Sequence, residues 1–131
     1  MKIPKIGLLI CNSGSSNSGT LTGIAGMEVV KELGGDRVGI CSLPALVHEI
    51  PKQMATVKNL KHLMVIDGCR NVCARKVAEK LSRSGDLYLN LEDDLHIGKL
   101  GPFTTLQVSA EDVQKVKEAI LARIGQLGEE G

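Results

Sequence analysis

Along the chain, short aliphatic runs alternate with longer stretches in which apolar residues recur every three or four positions. Residues 5–10 are hydrophobic without alternation, as a strand buried on both faces must be, and predict a parallel β-strand. Residues 37–41, 61–66 and 86–91 predict three more strands. A helix is expected over residues 20–33, closed by Gly34-Gly35. A second covers residues 72–81, with Ala74, Val77, Ala78 and Leu81 on one face and Gly85 ending it. Ser109, with Asp112 three residues later, opens a last helix as a capping box, and Val113, Val116, Ile120 and Ile124 form its buried stripe. Between residues 43 and 57, Pro44 and Pro51 allow only short helical pieces. Residues 92–105 read as a long loop, with a short strand near residues 104–108.

Strand–helix alternation predicts an α/β fold, a single doubly wound (Rossmann/flavodoxin-like) domain with a mainly parallel sheet and right-handed crossovers. With 131 residues and no internal repeat or linker, residues 1–131 read as one domain, its last four residues frayed. The core has to be aliphatic, because Tyr88 and Phe103 are the only large aromatics. Net charge is +1 with both signs interspersed, which gives no footprint for nucleic acid or an anionic membrane. The first apolar run, residues 6–11, is too short for a signal-peptide core, and no stretch approaches the ~20 apolar residues of a membrane helix. A soluble, cytoplasmic protein is expected. Thiols stay reduced there, so the four cysteines do not read as a disulfide framework.

Their placement carries the chemistry. Cys11 closes the first predicted strand and Cys41 the second, while Cys69 lies just past the third and Cys73 one helical turn further on. Doubly wound sheets carry their sites at the carboxyl ends of the strands, so three strands deliver thiols to one edge. Zinc takes four sulfur or nitrogen ligands in a tetrahedron. Four thiolates around it leave a charge of about −2, which the amino end of the second helix and Arg70, Arg75 and Lys76 would offset. The plainer reading is four ordinary buried cysteines, since free cysteine is among the most buried residue types. A C-x-x-x-C spacing is not that of a zinc finger.

The run Val65-Ile-Asp-Gly-Cys-Arg-Asn-Val-Cys73 resembles the central motif of the DGC family, named for its Asp-Gly-Cys tripeptide. Cys11-Asn-Ser-Gly-Ser-Ser16 with Gly19, Val38-Gly-Ile-Cys-Ser-Leu43 and Leu95-His-Ile-Gly-Lys99 are similar to other parts of that family. One extra residue between Cys11 and the Ser-Gly pair departs from its pattern and bears on the shape of that loop. Members are described as zinc-binding on the strength of four cysteines. The resemblance therefore implies zinc as cofactor, with Cys11, Cys41, Cys69 and Cys73 as its ligands.

Other readings compete for the same residues. Cys69 to Arg75 fits C-x-x-x-x-x-R, the loop in which a thiolate attacks and an arginine clamps an oxyanion. That alternative is a thiol-based redox or oxyanion-processing enzyme, with Cys73 as resolving thiol. Against it, residues 70–74 hold no Gly or Ser to bring backbone amides close to a phosphate. Gly14 to Thr20 matches the glycine frame of a P-loop but lacks its lysine, so nucleotide hydrolysis is not expected. What survives is a pocket for a small anion beside Cys11, or simply a turn whose Ser or Asn caps the helix. Asp67 reads either as an acceptor for loop hydrogen bonds behind the ligands or as a plain turn residue. His48 and His62 read as surface residues, while His96 and Lys99 sit on a loop able to reach the same edge.

Overall fold

The computed structural model describes residues 3–83 and 86–128. Its strands are β1 (Ile6–Ile10), β2 (Val38–Ile40), β3 (His62–Asp67) and β4 (Leu87–Asn90). Its helices are α1 (Asn17–Leu33), α2 (Leu43–Val47), α3 (Pro51–Asn59), α4 (Cys73–Lys80), α5 (Leu91–Leu95) and α6 (Ala110–Gly125). The four strands form one parallel sheet in the order β2-β1-β3-β4, with Ile10 opposite Ile66 and Leu8 opposite Ile40. The expected α/β architecture is present.

Both faces of the sheet are covered, which is why its central strands read as unbroken apolar runs. Ile6, Leu8, Ile10, Met64 and Ile66 pack with Leu21, Ala25 and Val29 of α1 and Val116, Ile120 and Ile124 of α6. Leu9, Leu63 and Val65 point the other way, into a core with Leu46 of α2, Val57 of α3 and Ala74, Val77 and Ala78 of α4. No described helix is long and apolar enough to cross a membrane.

Three departures from the sequence reading have local causes. No strand forms at residues 104–108, because Thr104 N–H donates to Ser15 O (3.3 Å) and Thr105 Oγ1 to Gly14 O. Those bonds clip the segment to the loop after β1 instead of to a sheet edge. The expected long loop contains α5, which Asn90 starts by accepting from the amides of Glu92 and Asp93, both at 3.0 Å. Helix α1 begins three residues early because Ser16 is its cap. The helix-ending role of Gly85 and the fraying of residues 129–131 lie outside the described residues.

The chain leaves β1 toward β2 on one side and β3 toward β4 on the other. The crevice of a doubly wound sheet opens at such a reversal, outside the carboxyl ends of the two strands concerned. Here those ends are followed by Cys11 and by the turn from Gly68 to Cys73.

Candidate functional site

Cys11 continues the sheet register, its amide donating to Ile66 O (3.0 Å). Asn12 then turns the chain in the left-handed region at φ 45°, its amide held by Thr22 Oγ1 at 2.8 Å. Helix α1 returns so closely that a Cβ on Gly19 would lie 1.7 Å from Ser13 O. The second glycine of this frame therefore has a packing cause, whereas a Cβ on Gly14 would make only an ordinary contact with Thr105 at 3.8 Å. Burial pushes the Cys11 thiol pKa up, and the backbone amide of Ser13 opposes the rise. Electrostatic repulsion from the Cys73 and Asp67 positions raises it further, and the Gly68 backbone amide opposes that. The sulfur thus stands at the reversal point near Asp67 and Cys73, where a bound cation would relieve repulsion between ionised groups.

The turn after β3 gives each residue of the Asp-Gly-Cys tripeptide a physical role. Asp67 is 1% exposed. Its carboxylate accepts from the amides of Ala74 (2.7 Å) and Arg75 (3.1 Å) and from the Tyr88 hydroxyl (3.0 Å). Val72, the residue that precedes α4, sits at φ 49° and offers no capping side chain, so Asp67 caps the helix from a distance. Gly68 is required because a Cβ there would lie 2.8 Å from Ser18 C and 2.9 Å from Ser18 O, both backbone atoms. Cys69 is held by its carbonyl, which accepts from Asn90 Nδ2 at 3.0 Å and Val72 N–H at 3.2 Å. Cys73, exposed, is the first residue of α4.

Cys41 differs. Its amide donates to Leu8 O (2.9 Å), but its thiol turns back toward β1, where a Cβ on Gly7 would meet its sulfur at 2.9 Å and Leu60 at 2.4 Å. Burial raises this thiol pKa to about 11, partly opposed by the charge of Arg83. Cys41 and Cys11 together border a cavity of about 430 Å³ between the carboxyl ends of β1 and β2.

Cys11 and Cys73 are therefore within electrostatic reach of each other, and Cys69 lies four residues before Cys73 on the same turn. Cys41 faces an apolar wall across a shared cavity. Among the described residues, no three His, Cys, Asp or Glu side chains are gathered to hold one ion. In donor type the set fits a thiophilic metal. Two of the three cations expected to offset thiolate charge are engaged elsewhere: Arg70 Nε binds Asp93 at 2.6 Å, and the Arg75 guanidinium lies 5.2 Å from the Tyr88 ring centre, while Lys76 is exposed. The amides of Ala74 and Arg75 that an oxyanion would need at a C-x-x-x-x-x-R loop already donate to Asp67. His96 is the exposed, left-handed cap of α5, His48 ends α2, and Lys99 is exposed. His62 is half-buried, with Nδ1 3.7 Å from Asp86.

Tyr88 and Asn90 escaped the sequence reading. Burial drives the Tyr88 phenol to about 12, so it stays a donor to Asp67. The signal for Asn90 was present: an asparagine at a strand end, followed by Leu-Glu-Asp-Asp, is a helix start with an acidic first turn.

The family model described as the DGC domain matches residues 8–120, a span that holds all four cysteines. No curated protein matches the chain, and no solved structure does.

Proposed function

The chain belongs to the DGC domain family, and from that premise we propose that the protein binds zinc through Cys11, Cys41, Cys69 and Cys73. The supporting observation is that Cys11 ends β1 beside the turn that carries Cys69 and Cys73, at the sheet's reversal point, with Cys11 and Cys73 within electrostatic reach of each other. Cys69 approaches from the turn held by Asn90. Cys41 joins when its side chain rotates out of the Gly7–Leu60 wall toward the cavity it shares with Cys11. A four-thiolate site has no open position, so zinc would serve as a structural element, a transferable cargo or a sensed signal.

Zinc affinity by competition with a chromogenic chelator, measured on the four single Cys→Ser variants, tests this reading. Each variant should lose at least about tenfold in affinity, as supporting groups around metals already cost about 10–100-fold. Wild-type affinity in the Cys69→Ser or Cys73→Ser variant would refute it. A single fast-reacting thiol with no bound metal would instead favour thiol chemistry at Cys69 or Cys73.

A further inference from the structure

On the amino-terminal side of Cys41, a cavity of about 270 Å³ opens between the outer strand β2 and α3. Its walls are aliphatic, with Pro4, Ile40, Val57 and Leu60, and the half-buried Cys41 forms part of them. Ile3 and Ile40 also border it, and both are among the chain's exposed aliphatics, at 52% and 41%. Apolar side chains ringing an apolar hollow are surface that a bound ligand would remove from water.

Polar character enters from α3. Lys52 borders the cavity and is exposed, and no carboxylate pairs with it among the described residues. Between Ser42 and Arg83, which covers α2, α3 and α4, eight lysines and arginines face three carboxylates, and of these cations Arg70 and Arg83 pair with Asp93 and Asp86 beyond that span. That excess is invisible in the whole-chain charge of +1.

We propose that this cavity binds a short aliphatic carboxylate, its tail against Ile40, Val57 and Leu60 and its carboxylate at Lys52. A volume of about 270 Å³ lies just below the range of small-molecule sites, which run from about 300 Å³, so the tail is limited to roughly eight carbons. Nothing in this site requires a metal.

The test titrates octanoate, with octanol as neutral control, into the isotope-labelled full chain followed by amide NMR. Octanoate should give saturable shifts at Gly39, Ile40, Cys41, Gln53 and Thr56, with a dissociation constant of about 1 mM or below. Octanol should bind more weakly. Lys52→Gln should weaken octanoate about two- to fivefold, as loss of one exposed ion pair does, and leave octanol unchanged. Thr56→Phe, which fills the cavity, should remove binding of both. Should that variant misfold, Lys52→Gln, on an exposed side chain, still decides. Absence of saturation would overturn the proposal, as would equal affinity for octanol, or wild-type octanoate affinity in Lys52→Gln.

Discussion

Asp67→Ala strips the carboxylate from beneath α4 and leaves three donors facing a void: Ala74 N–H, Arg75 N–H and Tyr88 O–H. Loss of a helix cap alone costs about 1 kcal/mol. A donor left buried without a partner costs about 1–3 kcal/mol. Ala74 is fully buried, so its amide bears that penalty, whereas Arg75 is exposed and Tyr88 half-buried, where water recovers part of theirs. The expected loss is about 3 kcal/mol, a large share of the 5–15 kcal/mol typical of a whole protein. Asp67→Asn keeps one acceptor oxygen and should cost about 2 kcal/mol, while Tyr88→Phe deletes a single donor and should cost about 1 kcal/mol. Urea unfolding of the metal-free chain, read by circular dichroism, measures all three at a common m-value. An Asp67→Ala loss under about 1 kcal/mol would refute the capping argument, and so would a Tyr88→Phe loss equal to it.

Glycine replacements should separate hard from soft contacts. Gly19→Ala puts a Cβ 1.7 Å from a backbone oxygen and should prevent soluble expression, whereas Gly7→Ala meets the movable side chains of Leu60 and Cys41. The latter should cost about 1–3 kcal/mol in urea unfolding. Asn17 binds Gly98 O through Nδ2 (3.0 Å) and Leu100 N–H through Oδ1 (2.8 Å), so Asn17→Ala should speed tryptic cleavage after Lys99 at least severalfold without a large change in melting temperature. Stability should also depend on Cys41. Its folded pKa of about 11 lies above the ordinary 9.0, so the folded state holds the thiol proton more tightly. That contribution is complete below pH 9.0 and is lost as pH rises toward 11, up to about 3 kcal/mol. Urea midpoints of the reduced, metal-free chain should therefore fall more steeply over that range than those of Cys41→Ala, and equal slopes would contradict it.

The sheet was legible because burial on both faces leaves its mark in every residue of a strand, as in Ile6 to Ile10. Helix α6 was legible for a local reason, the Ser109 cap, whose hydroxyl accepts from Asp112 N–H at 3.0 Å. The segment at residues 104–108 misled because Thr-Thr-Leu-Gln-Val has strand composition, while its outcome was decided by partners 90 residues away at Gly14 and Ser15. Sequence placed Cys11, Cys41, Cys69 and Cys73 after strands. It could not show that Cys41 turns toward Gly7, since a thiol's direction depends on side-chain rotation and on Leu60 from another element. Nor could it show Arg75 stacked on Tyr88 instead of facing the cysteines, because that contact is set by the register of β3 with β4.

The central claim is a zinc ion held by thiolates, and X-ray absorption at the zinc edge tests it most directly. Protein purified without chelator, analysed for metal on the same sample, should hold one zinc per chain. Its first shell should consist of four sulfurs near ~2.3 Å, falling to three in Cys41→Ser. Zinc-free protein that takes up no stoichiometric zinc, or a first shell of nitrogen and oxygen, would contradict the account.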